Sequence, residues 1–500
     1  MIHTSRRAFF LLPALAPALL AQSDSDDPAL LPLAEAAARI RAGALTPTRL
    51  LEACLARVDV YQPKLNAFIT VTRDLARAQA RQLDAEQKAR KLRSPLHGIP
   101  IALKDNIDTQ GIRTTAASAA FDDRLPQQDA EVARRLKEAG AVLIGKTNLH
   151  EFAAGGTNAT SYFGPVRNPW VLERNPGGSS GGSGAAVAAG LCFGALGTDT
   201  GGSVRIPAAF CGITGLKATY GLVSIRGIIP LTHTLDHCGP MTRSAEDAAI
   251  MLNALAGYDR LDIASVEHPR EDYVAALRQP VRGLRLGIPR EPFFDHVDTD
   301  IAKAVEDAIA VLAKLTAGVR DCTLPPTSEG FRLGGEMYAW HEENVKGGSG
   351  RYQLPLRRSM EGSSKSLAYQ YVQSRWRLEL LRRTIDESFR DVDVVALPTR
   401  RRSPRLIADA RKRERSDKPR DPELENTSQF NYYGIPAVSI PCGFTSAGLP
   451  IGLTLAGPRF SEGRLLALAH AYQQQTDFHK RRPPLTPDMK VPDLAAEETA

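Results

Sequence analysis

The chain has 500 residues, 43% hydrophobic and 24% charged, with six cysteines and a formal net charge of +7. This composition belongs to a soluble globular protein able to bury a large core, with disorder expected only at the ends. The charge gives no ground for a nucleic-acid partner because it is local. Between Arg400 and Arg420 ten Lys or Arg residues face only Asp409, Glu414 and Asp417, so the remainder is near neutral and the run reads as a solvated loop.

Residues 1–21 have the layout of a targeting segment: a short basic region, an apolar run from Ala8 to Leu20, then small residues. Ser5-Arg6-Arg7-Ala8-Phe9-Phe10-Leu11 resembles the twin-arginine signal, which implies the twin-arginine export machinery as a partner and a periplasmic or secreted location. The run is too short for a membrane span, so the mature form is expected to keep none. The cysteines are scattered, with no C-x-x-C pair and no His cluster, which predicts buried free thiols and no metal site.

Apolar spacing predicts helices over Leu31 to Ile40 and Pro47 to Val60, the second opened by the Thr46-Pro47 cap, and another over Asp74 to Lys88. Ile99 to Leu103 then reads as a buried strand, Ala130 to Ala139 as an amphipathic helix and Ala141 to Ile144 as the next strand. The Ala- and Gly-rich stretch Ser183 to Gly190 suits a helix packed tightly on a sheet, followed by a strand over Leu191 to Gly197. Residues 260–390 are more helical, with Ile301 to Leu315 and Ser366 to Phe389 clearest. Strand character returns at Val392 to Thr399, Ala437 to Ile440 and Ile451 to Leu455, and Gly463 to Gln475 closes as a helix. Alternating strands and helices predict an α/β fold.

Two familiar patterns fail on context. Gly140-Ala141-Val142-Leu143-Ile144-Gly145-Lys146-Thr147 satisfies the phosphate-loop formula, but a helix precedes it and its loop is four apolar residues that favour a strand. Gly177-Gly178-Ser179-Ser180-Gly181 matches the nucleophile elbow, but it follows the polar loop Arg174-Asn175-Pro176 rather than a strand. His233 and His237, the available bases, sit in a loop and read as structural.

A lysine is the alternative base, since burial disfavours its charged form. Lys104 follows the apolar Ile101-Ala102-Leu103, although Asp105 beside it also permits an ordinary ion pair. Lys104, the Gly177 to Gly182 loop and Gly197-Thr198-Asp199-Thr200-Gly201-Gly202-Ser203 together resemble the amidase signature family. Gly145 to Ala153, Gly215-Leu216-Lys217, Leu235 to Met241, Gly434-Ile435-Pro436-Ala437 and Gly448 to Leu453 extend the likeness along nearly the whole chain.

The resemblance implies a three-layer α/β/α sandwich around a large mixed twisted sheet, as a single domain over residues 28–490 with a helical substrate-side region at 260–390. It implies an amidase that cleaves linear amide C–N bonds of a small-molecule amide through an acyl-serine, without a cofactor. Ser203 corresponds to the nucleophile, Ser179 to the bridging serine after a cis peptide, and Lys104 to the base. Thr200, Gly201 and Gly202 would form the oxyanion hole, and Ala153, Gly155 and Ser180 part of the substrate pocket. Asp199 and Arg205 would hold the loop. The alternative is a transamidating subunit like that of glutaminyl-tRNA amidotransferase, which shares this triad.

Overall fold

The computed structural model describes residues 27–327, 330–416 and 426–494. The expected export segment and the chain after residue 494 lie outside them. Helices form where apolar spacing and caps predict them: Leu33–Arg41, Pro47–Leu65, Arg73–Lys88, Glu131–Glu138, Gly181–Ala188, Thr299–Leu315, Ala368–Thr384 and Glu462–Gln475. Thr46 starts the second as expected, its hydroxyl accepting from the Arg49 amide with Pro47 in the first turn.

The strands are β1 (Phe68–Val71), β2 (Pro100–Lys104), β3 (Val142–Thr147), β4 (Gly194–Asp199), β5 (Thr214–Lys217), β6 (His237–Thr242), β7 (Leu286–Ile288), β8 (Val319–Asp321), β9 (Val394–Pro398), β10 (Ala437–Phe444) and β11 (Pro450–Ala456). They form one sheet in the order β1-β3-β2-β4-β6-β5-β10-β11-β9-β7-β8. It is mixed: β2 runs parallel to both β3 and β4, whereas β6 is antiparallel to β4 and β10 is antiparallel to β5 and β11. Residues along β2, β4, β6, β9 and β11 are buried throughout, so both faces are covered. A Cβ on Gly194 would meet Met251 of the helix Ala245–Leu255. One on Gly197, three residues on and therefore on the opposite face, would meet Ser180 beside the helix Gly181–Ala188. This is the three-layer α/β/α arrangement.

The register decides where the site can be. Ile101, Ala102 and Leu103 lie opposite Gly194, Ala195 and Leu196, so β2 and β4 end side by side. Lys104 and the Thr198–Asp199 pair therefore emerge at the same sheet edge. β6 begins there too, with His237 opposite Asp199; the loop reading of His237 is corrected to a strand start. The phosphate-loop formula is β3 itself, with Lys146 buried and donating to the Ile107 carbonyl and Thr114 hydroxyl. The region expected as a solvated loop between Arg400 and Arg420 contains a helix, Ile407–Arg415, and Arg401 is buried against Asn426. Five cysteines are buried free thiols and Cys322 is half-buried. Among the described residues no helix is long and apolar enough to cross a membrane.

Gly197→Val would drive its side chain into Ser180 and Met241, whose nearest atoms stand 2.7 and 2.9 Å from a Cβ there. Urea denaturation should show a loss of about 1–3 kcal/mol.

Candidate active site

Burial makes Lys104 unusual. Its side chain is wholly inaccessible, and desolvation lowers its pKa to about 7, with Asp199 and Asp236 opposing the shift from a distance. No carboxylate bonds it: its Nζ is hydrogen-bonded to the Ser179 hydroxyl at 2.7 Å and to the Thr198 hydroxyl at 2.6 Å. Asp105 does not form the ion pair that its place in sequence allows, because successive side chains leave the backbone on opposite sides. Its carboxylate instead accepts from the Thr115 amide and hydroxyl and lies 3.6 Å from Lys146.

The Ser179 loop is cradled by the segment after β3. The His150 amide donates to the Ser179 carbonyl, the Gly182 amide to the Asn148 carbonyl, and the Gly181 amide to the Asn158 side chain. The Gly178–Ser179 peptide is cis, as the resemblance implies. Ser180 turns inward: its hydroxyl donates to the Thr198 carbonyl and accepts from the Thr198 amide, both at 3.2 Å. It anchors the loop to β4. Gly155 lies against the His150 ring, where a Cβ would come within 2.2 Å. Ala153 does line a small cleft, together with Asn106, Thr198, Thr200, His233 and Asp236.

Ser203 is brought against this loop, its carbonyl accepting from the Ser180 amide at 3.3 Å. Its own hydroxyl takes no partner among the described residues, so the Lys104–Ser179 link is made and the Ser179–Ser203 link is open. Such contacts often tighten only when substrate is bound. The loop from Thr200 to Ser203 is pinned from inside by Asp199, whose carboxylate accepts the amides of Gly202 and Val204 at 2.7 and 3.1 Å. The Gly202 amide is thus occupied, and the amides of Thr200, Gly201 and Ser203 are the ones left for a developing oxyanion. Gly202 has φ of 127°, and a Cβ there would strike the Thr427 hydroxyl at 2.2 Å, so only glycine fits.

Burial alone would raise the Asp199 pKa, but the Arg205 guanidinium outweighs it and holds the carboxyl well below its usual range. Arg205 reaches both Asp199 oxygens at 2.9 and 3.0 Å and also donates to the Thr427 carbonyl and Asn431 side chain. Asn431 in turn donates to the Asp199 carbonyl and carboxylate at 2.9 Å, and Thr427 to the Gly201 carbonyl at 2.7 Å. Thr427 and Asn431 carry no sequence motif of their own, and Thr198 lies in the Gly197 to Ser203 motif without having been singled out. The nearest signal was Gly434-Ile435-Pro436-Ala437, a few residues beyond Asn431. Among the described residues no group of His, Cys, Asp and Glu is placed to hold a metal.

The model of the Amidase family matches residues 49–466. The chain belongs to the amidase family. It is 42% identical over 485 residues to a glutamyl-tRNA(Gln) amidotransferase subunit of Roseiflexus sp. (strain RS-1), covering 91% of this chain and 98% of that one. Among solved structures it resembles the native peptide amidase of Stenotrophomonas maltophilia, 34% identical with a TM-score of 0.78, covering 91% of this chain and 98% of that one. It also resembles 6-aminohexanoate cyclic dimer hydrolase, 28% identical with a TM-score of 0.83, covering 91% and 99%. The family is that of the sequence resemblance, and the Roseiflexus relative carries an amidotransferase name rather than that of a free amidase.

Amide turnover should rise with pH through about 7 and then level, because a proton on Lys104 removes its lone pair. A kcat/KM profile that is flat between pH 5 and 8 would contradict this. Asn431→Ala should lower kcat by about tenfold or more by loosening the Asp199 loop, with the pH midpoint unmoved.

Proposed function

We propose that this protein cleaves the C–N bond of a carboxylic amide by acylating Ser203. The observation that carries the reading is a wholly buried lysine, free of any bonded carboxylate, in hydrogen-bond contact with Ser179. The unprotonated amine takes a proton from Ser179, which takes one from Ser203 as its oxygen bonds to the carbonyl carbon. Amides of Thr200, Gly201 and Ser203 receive the oxyanion, each donor worth about 10²–10³ in rate. Protonated Lys104 then returns a proton through Ser179 to the leaving nitrogen as the C–N bond breaks. Water repeats the attack, freeing the acid and restoring Ser203.

The named relatives favour a transamidating role, in which ammonia freed from the donor amide passes to a second substrate held by partner subunits. One observation favours a second reading, a free linear-amide amidase acting outside the cytoplasm. The Arg6-Arg7 pair ahead of an apolar run has the pattern of a twin-arginine signal. Both readings share the acylation step and differ in what receives the nitrogen.

Ser203→Ala and Lys104→Met should each cut ammonia release by about 10³-fold or more. A serine-directed fluorophosphonate should label Ser203; labelling elsewhere, or full activity of Ser203→Ala, would sink the acyl-serine mechanism. The isolated full chain, given glutamine and a graded panel of primary amides, separates the two roles. Robust turnover of simple amides without partners, with the protein recovered outside the cytoplasm, supports the free amidase. Recovery in a cytoplasmic complex with activity confined to glutamine supports the transamidating role.

A further inference from the structure

A second cavity, of about 290 Å³, shares no lining residue with the cleft beside Ala153. Its walls are the segment Ala159-Thr160-Ser161, the start of the helix Leu354–Ser363 and the end of the helix Ile407–Arg415. Arg358 ties the two helices together by donating to the Arg415 carbonyl at 2.8 Å. The lining includes hydrogen-bond donors that lack acceptors. Arg357 Nε and Gln353 Nε2 are both buried, and neither has a partner among the described residues. Arg415 is exposed, and no described acid lies within ion-pair reach of it or of Arg357. The nearby carboxylates are engaged elsewhere. Glu414 accepts from the hydroxyls of Thr157 and Thr160, and Glu151, which feels the charge of Arg357, accepts from the Ser118 hydroxyl and the Gln353 amide. Arg411 on the same wall is also engaged, with its Nε on the Ala159 carbonyl at 3.4 Å, so the unmatched charge is that of Arg357 and Arg415.

We propose that this cavity binds a small organic carboxylate. A buried donor without an acceptor is destabilising, and a negatively charged acceptor relieves it best. Two guanidinium groups and a side-chain amide offer the fork of N–H groups that a carboxylate accepts. Tyr352, Leu354 and Pro355 add apolar surface for the body of such a molecule, which a bare inorganic anion would leave uncovered. Leu354 and Pro355 are also the first turn of their helix, so the positive end of its dipole lies on the same side. The position matters too. Ser161 donates to the Asn148 side chain at 2.8 Å, and the Asn148 carbonyl holds the Gly182 amide, so the ligand rests against the segment that cradles the Ser179 loop.

The test is calorimetric titration of the full chain with benzoate, with benzyl alcohol as its neutral counterpart, and with inorganic phosphate, all at one ionic strength. Benzoate should bind more tightly than phosphate and at least about tenfold more tightly than benzyl alcohol. Arg357→Gln and Arg415→Gln should each weaken benzoate binding about tenfold or more. Their thermal midpoints without ligand should match that of the intact chain, which shows that the variants are folded. None of these readouts uses turnover, so the outcome is separate from the acylation of Ser203. Absence of benzoate binding by the intact chain would overturn the proposal. So would undiminished binding by either folded variant, or tighter binding of phosphate than of benzoate.

Discussion

The proposed amide cleavage depends on denying a carboxylate to one buried lysine. Lys104 and Lys146 sit on adjacent parallel strands, one register step apart, and both are wholly buried. Only Lys146 has an acid at hand, Asp105 at 3.6 Å. Had Asp105 turned toward Lys104, Coulomb attraction at that distance would have held the proton on the amine and removed the base. Strand alternation prevents it. The residue that would have neutralised the function serves the neighbouring strand, and Lys104 is left with two hydroxyls that can exchange a proton.

The second constraint is positional. A nucleophile on a glycine-rich loop gains reach from its small residues but loses definition, and the structure restores definition from below. Asp199 ends β4 and holds the amides of Gly202 and Val204, so the loop curls around one charged carboxylate. That carboxylate is tolerated in the interior because Arg205 meets it with two hydrogen bonds and Asn431 with a third. Breaking a buried pair of this kind leaves an uncompensated charge, which is far more costly than a lost surface ion pair. The network therefore couples the loop's shape to a segment 226 residues beyond Arg205 in sequence.

This distance explains what could be read without coordinates. Lys104, Ser179 and Ser203 lie in short motifs whose glycines and flanking apolar runs are local properties, and the alternation of helix and strand gave the layers. The strands β1, β5, β6, β7 and β8 went unread because they are short or interrupted by Gly, Pro and polar residues, and are strands only by pairing with distant partners. Thr427 and Asn431 were invisible for the same reason, since a lone Thr or Asn in a polar stretch has no pattern until Arg205 is placed beside it. Ser180 and Gly155 lie within motifs, where one spends its hydroxyl on β4 and the other yields its space to His150.

Hydrolysis and transamidation cannot differ at Lys104, because both require the same acylation and the same proton return to nitrogen. They differ in what reaches the site from outside, and the helical layer over residues 330–416 grips loops beside that site. Glu336 binds the Thr234 amide and hydroxyl, Arg382 the Thr234 carbonyl, and Glu414 the hydroxyls of Thr157 and Thr160 behind the Ser179 loop. Each contact joins an outer helix to a loop one step from the reacting atoms. The contacts that hold these loops therefore come from parts of the chain with no motif, where charge and apolar surface must be read in three dimensions.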